Sequence, residues 1–280
     1  MKFTRRNFIR TTGTGVVAAG IPAFGYAGTE VPGSLPNHSF RLAVAGYTFA
    51  KIDLTQSLAM MKRVGVNYLG VKDFHLPLTS TQEVIDQTLA AMKASGVEPY
   101  GVGPIYMKSK EAVDQAFAYA GKVGVNLLVG VPDINLLPDV EKKVKDTGIR
   151  VAIHNHGPDI PLYPSADDIW ASIKNLDSRI GFCLDIGHTV RLGLDPVETF
   201  KRYQDRIFDF HVWDTDKAEK SGWCVEAGRG IIDFPGFFRA IIKAKYSGTV
   251  SLEYAKDMAD PLPGVAESIG YFRGVIEGLG

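Results

Sequence analysis

From Arg41 onward, short apolar runs alternate with longer stretches whose apolar residues recur every three or four positions. The short runs have strand length, and the longer ones have the period of an amphipathic helix. The pattern predicts strands over Arg41–Tyr47, Asn67–Lys72, Val97–Gly103 and Val125–Val131. Helices are expected between and after them, over Leu54–Val64, Thr81–Ser95, Lys108–Val123 and Leu137–Thr147. Four more strand-like runs follow, at 151–156, 180–185, 207–211 and 249–253. Helices near Ala166–Lys174, Pro196–Tyr203, Phe234–Ala244 and Gly264–Glu277 accompany them. Gly65, Gly96, Gly124, Gly148 and Gly248 each stand where a helix gives way to a strand, where left-handed backbone is wanted.

Eight strand–helix units in roughly 240 residues are the expected size of a single-domain α/β (β/α)8 TIM barrel. The barrel is assigned to residues 40–280, after a linker over 28–39 that is rich in Pro, Gly and Ser from Val31 to Ser39. Residues 1–27 read as a signal peptide. Arg5-Arg6 precede the apolar pair Phe8-Ile9, and a weakly hydrophobic, Gly/Ala-rich stretch runs from Thr11 to about Ala27. This resembles a twin-arginine export signal and predicts the twin-arginine machinery as a partner and a periplasmic location. The stretch is too glycine-rich for a stable membrane span.

The last four strands carry the chemistry. They deliver His154 and His156, Asp185, His211 and Glu253 at or near their C-terminal ends. In a barrel of parallel strands those ends meet on one face. Strand parity aims the polar residues inward, because side chains alternate faces with period two. Ile153, Phe182, Leu184, Phe208, Phe210, Val250 and Leu252 fall on the opposite face and should pack against the outer helices. Two imidazoles and two carboxylates suit one divalent cation such as Mn, Co, Zn or Mg. Five of the six histidines, all but His38, fall at or just past a strand end.

With 31 basic and 31 acidic residues the formal net charge is zero, and no basic face stands out. Nucleic acid is therefore not an expected partner. The two cysteines, Cys183 and Cys224, are too few for a disulfide framework, and Cys183 reads as a small buried hydrophobe pointing into the barrel. A homo-oligomer is compatible with this composition.

Leu184-Asp185-Ile186-Gly187-His188 resembles the Asp-x-Gly-His motif of xylose isomerase-like TIM barrels, the sugar phosphate isomerase/epimerase group. His211-Val212-Trp213-Asp214, Gly228-Arg229-Gly230 with Asp233, and Ser251-Leu252-Glu253 fit the same group. The resemblance implies metal ligation by Asp185, His211 and Glu253, and substrate contact by His188. At strand five the family Glu is replaced by His154, and similar His-x-His patterns occur in the inosose dehydratase-like branch. His154 is the expected fourth ligand, with His156 as the alternative.

The implied activity is metal-dependent proton abstraction next to a carbonyl of a carbohydrate, of isomerase or epimerase type, with Glu253, His188 and His156 as catalytic groups. A metal-bound imidazole has no lone pair to take a proton, so His154 breaks the two-carboxylate pair of the family epimerases. That leaves a second reading, a lyase or dehydratase that expels a β-substituent from a keto-sugar or 3-keto-glycoside. A non-catalytic periplasmic sugar-binding protein is a third. Lys72, His75, Trp213 and Arg229 are further candidates for substrate contact, each weighed against an ordinary packing or surface role. Trp223 is weighed as a stacking surface, and Asp214 as an acceptor that orients a ligand.

Overall fold

The alternating pattern folds as eight parallel strands that close on themselves. The computed structural model describes residues 38–279, so the twin-arginine segment and the linker up to residue 37 lie outside the described residues. In chain order the strands are β1 (Arg41–Ala45), β2 (Tyr68–Val71), β3 (Glu98–Met107), β4 (Leu127–Pro132) and β5 (Arg150–His154). β6 (Ile180–Asp185), β7 (Ile207–Val212), the two-residue β8 (Asp214–Thr215) and β9 (Cys224–Val225), and β10 (Thr249–Leu252) follow. The barrel runs β1-β10-β7-β6-β5-β4-β3-β2 and closes, while β8 and β9 form a separate antiparallel hairpin.

Nine α-helices lie among the described residues: α1 (Leu54–Val64), α2 (Gln82–Ala94), α3 (Lys110–Val123), α4 (Leu137–Thr147), α5 (Ala166–Ile173), α6 (Ile186–Arg191), α7 (Pro196–Tyr203), α8 (Phe234–Lys243) and α9 (Leu262–Glu277). None is long and apolar enough to cross a membrane.

Local chemistry starts and stops these helices. The side chains of Asp53, Thr81 and Ser109 accept the free N–H groups at the starts of α1, α2 and α3. Ser165 and Asp168 form a reciprocal capping box on α5. Gly65, Gly124 and Gly148 end their helices at φ of 69°, 80° and 75°. Gly248 plays another part: Lys245 supplies the left-handed residue of that turn at φ 54°, and a Cβ at 248 would lie 2.1 Å from the Tyr246 hydroxyl.

The apolar faces divide as strand parity requires. Ile153, Phe182, Leu184, Phe210, Val250 and Leu252 join the layer between strands and helices. Ala43, Tyr100, Leu127, Val129, Ala152 and Cys183 fill the barrel interior. Phe208 departs from the expected outward placement and packs against this interior set. The cause is a bulge: Phe182 pairs with Ile207 but Cys183 pairs with Asp209, so Phe208 is the extra residue and turns inward. On α8, Phe234, Phe237, Phe238 and Ile241 are fully buried, each contributing about 1.5–3 kcal/mol of hydrophobic stabilisation.

Candidate metal centre and active-site cavity

The four ligand-bearing strands are consecutive in the ring, β5-β6-β7-β10. His154 and Asp185 end their strands, His211 precedes the last residue of β7, and Glu253 directly follows β10. One donor atom from each lies within 4.8 Å of the other three. His154 Nε2 is 3.1 Å from His211 Nδ1 and 3.6 Å from Asp185 Oδ2. His211 Nδ1 also touches Glu253 Oε2. Three of the four residues are buried, and Glu253 is partly so.

Asp185 is the most tightly held of the four. The Trp213 indole N–H lies 2.9 Å from each of its carboxylate oxygens, and the backbone N–H of His188 donates to Oδ1 at 2.6 Å. The Asn155 amide clamps its backbone, accepting from Asp185 N–H at 2.8 Å and donating to its carbonyl at 3.1 Å. Gly187 is required for this: a Cβ there would come within 2.1 Å of the Trp213 ring. The Asp-x-Gly-His spacing thus places the carboxylate at a helix start and leaves room for the indole that holds it.

The donor set fits a divalent cation. Burial, with the charges of neighbouring imidazoles, drives the His154 imidazole well below its usual range, so it stays neutral as ligation requires. Burial works against charge on His211, but Glu253, then Asp209 and Asp185, outweigh it and raise that imidazole to about 9. Glu253 moves down correspondingly, its burial outweighed by His211. The raised His211 reports three carboxylates crowded around one imidazole, negative charge that a cation would neutralise. The buried Glu253 Oε2 has no well-formed hydrogen bond although it lies against His211.

Beneath the cluster, Asp209 is fully buried. It accepts from Tyr100 Oη at 3.0 Å and Ser251 Oγ at 3.2 Å, and its Oδ2 is 3.7 Å from His211 Nε2. Burial pushes its carboxyl up to about 6, against the pull of His211 and these donors. Cys183 sits beside it, Sγ 3.7 Å from Oδ2, as a small interior group.

Above the cluster opens a cavity of about 640 Å³. His154 and Glu253 reach it, with Lys72, His156, His188 and Trp213 in its walls. Lys72 Nζ donates to the Pro104 carbonyl at 2.7 Å and pairs with Asp73 at 3.0 Å. His156 is apart from the four-residue cluster. Its Nε2 meets the Tyr106 hydroxyl at 2.9 Å, and burial, reinforced by His188, pushes its imidazole down to about 4. Between the two strand-five histidines, geometry therefore selects His154 for the cluster.

His188 is fixed by Arg191, a residue that sequence reasoning missed. Arg191 Nη1 lies 3.2 Å from His188 Nδ1 and also donates to Asp159 Oδ2 at 2.6 Å. A guanidinium has no acceptor, so Nδ1 must be the accepting nitrogen and the ring hydrogen of neutral His188 sits on Nε2. In that tautomer His188 presents a hydrogen-bond donor through Nε2. Arg191 Nη2 reaches on to the Lys220 carbonyl at 2.5 Å, joining the loop after β5, helix α6 and the β8–β9 connection.

Other expectations need correction. His75 lies outside the cavity, its Nε2 2.7 Å from the Ile52 carbonyl, where it pins a loop. Arg229 pairs with Glu267 on α9 and is also outside. Trp213 lines the cavity, but its polar edge is spent on Asp185 and only 8% of its surface is exposed. Asp214 orients no ligand. It accepts the backbone N–H groups of Thr215, Gly228, Gly230 and Ile232, at 2.8–3.1 Å, and so fastens the following loop.

Residues 58–275 match the family model described as xylose isomerase-like TIM barrel. Over 137 residues the chain is 26% identical to the inosose dehydratase of Lacticaseibacillus casei, covering 43% of this chain and 45% of that protein. It is 27% identical over 143 residues to the rhizopine catabolism protein MocC of Rhizobium meliloti, covering 45% of this chain and 43% of that one. The chain thus spans about half the length of the curated relatives it matches. Among solved structures it resembles the IolI protein with a bound zinc atom, at TM-score 0.70 and 16% identity, over 85% of this chain and 99% of that one. A D-tagatose 3-epimerase-like protein gives TM-score 0.68 and 15% identity, over 85% and 97%. The last two likenesses are of fold.

Proposed function

The chain belongs to the xylose isomerase-like TIM barrel family, and on that premise we propose that it is a divalent-metal-dependent enzyme that removes a proton next to a carbonyl of an unphosphorylated sugar or sugar derivative. The observation that carries this reading is the convergence of His154, Asp185, His211 and Glu253 within 4.8 Å at the floor of the cavity. Those four would hold the cation, which supplies Lewis acidity to adjacent substrate oxygens. The zinc in the IolI structure supports the choice of a divalent ion.

The chain's own groups divide the remaining work. His188 donates through Nε2 to a substrate oxygen. Lys72, braced by Pro104 and Asp73, places a cation on the cavity wall. His156 is outside the cluster and outside the Arg191 clasp, which leaves it to accept the proton, with the Tyr106 hydroxyl against its Nε2. A positioned base contributes roughly a hundred- to ten-thousand-fold in rate.

A second reading, elimination of a β-substituent after the same proton removal, is favoured by His154. It stands where the resemblance expects a carboxylate, so a symmetric two-carboxylate epimerisation has lost a partner. Relatives named inosose dehydratase support the same reading. The test is to incubate Mn-loaded protein with keto-sugars and keto-glycosides in heavy water and follow them by NMR. Exchange of one carbon-bound proton is expected, with a leaving group released if the reaction is an elimination. No exchange on any member of either substrate set would overturn the proposal. We also propose export by the twin-arginine route to the periplasm, on the strength of Arg5-Arg6 and the apolar stretch that follows.

A further inference from the structure

The cavity is larger than one sugar ring needs and its outer wall is aromatic. At about 640 Å³ it lies well inside the roughly 300–1,000 Å³ range of sites for drug-sized ligands. Tyr47, Tyr106 and Trp223 line it and remain 41%, 45% and 63% exposed. One exposed aromatic residue on a surface is ordinary, but three around one cavity are not.

Trp223 is also presented rigidly. Its backbone N–H donates to Asp216 Oδ1 at 2.7 Å, and its carbonyl accepts from the Asp216 N–H at 3.1 Å. The turn before it closes through Gly222 N–H to the Glu219 carbonyl at 2.8 Å. Arg191 anchors the adjoining Lys220 carbonyl from across the cavity wall. With the main chain held this way, Trp223 has only its two side-chain torsions to lose when a ligand covers the indole.

Two polar pairs near Trp223 are engaged internally. Asp159 is paired with Arg191, and the Ser221 hydroxyl donates to Glu219 Oε1 at 2.5 Å. Trp223 itself offers a flat apolar face, the kind of surface on which an aromatic ring stacks.

We propose that Trp223, with Tyr47 and Tyr106 lining the same cavity, forms a subsite for the aromatic aglycone of a glycoside whose sugar ring lies over the His154, Asp185, His211 and Glu253 cluster. The placement of the sugar ring rests on the functional reading above, and it names the substrate class as aryl glycosides. The aromatic subsite itself can be tested without any reaction.

The experiment compares phenyl β-D-glucopyranoside with methyl β-D-glucopyranoside as ligands of the purified, Mn-loaded protein, by saturation-transfer NMR and calorimetry. Neither probe carries the ketone, so failure to find turnover elsewhere does not affect the result. The phenyl compound should bind about three- to tenfold more tightly, the range of a single aromatic stacking contact. Its ring protons should show the strongest saturation transfer. In Trp223→Ala that preference should fall towards one, and in Trp223→Phe most of it should survive. Equal binding of the two probes by the native protein, or a preference that persists in Trp223→Ala, would overturn the subsite. It would leave the proton-abstraction proposal standing.

Discussion

Asp185 receives the Trp213 indole, caps α6 through the His188 N–H, and faces His154 Nε2. A fully buried carboxylate with both oxygens oriented is a poor candidate for a surface accident, because burying a charge is costly unless something compensates it. If the compensation is a cation, removing Asp185 or Glu253 removes both a ligand and half the reason for the cation to bind. In Asp185→Ala and in Glu253→Ala, elemental analysis should show the divalent metal falling from about one per chain to a small residue. Near-stoichiometric metal in both variants would overturn the ligand set. The four residues were legible in the sequence because each ends an apolar run at the same parity, and parity survives wherever a strand is regular. His75 and Arg229 were misplaced because they lie on loops, where spacing says nothing about direction. Arg191 carried a usable signal: it is three residues after His188 on α6, and that separation puts two side chains on one helix face.

At the level of elements, the long amphipathic helices and the strands of six residues matched their predicted spans closely, since periodicity accumulates over many residues. What the sequence did not reveal was short. α6 has six residues, and β8 and β9 have two each, too few to show a period. β3 continues past Gly103-Pro104 to Met107 because its pairing with β4 resumes at Ile105 after a register shift. These same short pieces build the cavity wall, and Arg191 is the side chain that links three of them. Its guanidinium holds Asp159, His188 and the Lys220 carbonyl at once. In Arg191→Met the ¹⁵N shifts of His188 should change from those of a single Nε2–H tautomer to those of a mixture. kcat/KM on a responsive sugar should drop about ten- to a hundredfold, as is usual when a partner that orients a functional histidine is lost. Arg191→Lys should recover little, because a lysine cannot serve three acceptors in fork geometry. An unchanged His188 spectrum in Arg191→Met would show that the clasp does not set the tautomer.

At the scale of the whole molecule, barrel closure decides when the site exists. β1 pairs with β10, Arg41 opposite Thr249, so the first and last barrel strands must meet before the ring is complete. Glu253 directly follows that last strand, and its N–H is held by Val212 of β7. The four donors are therefore assembled only in the finished fold, and metal binding should be coupled to folding. A route that exports folded proteins would let the metal be acquired before export. The proposed export signal at Arg5-Arg6 would then be joined to the chemistry at the other end of the chain. Arginine and lysine carry the same charge, so Arg5→Lys with Arg6→Lys leaves the net charge unaltered while changing the proposed export address. The double variant should accumulate in the cytoplasm as uncleaved precursor, folded and with about one divalent metal per chain. The native protein should be recovered from the periplasm, shortened at its N-terminus and carrying the same metal. Periplasmic recovery of the double variant at the native level would rule out the twin-arginine route, and cytoplasmic precursor without metal would break the link between folding, metal loading and export.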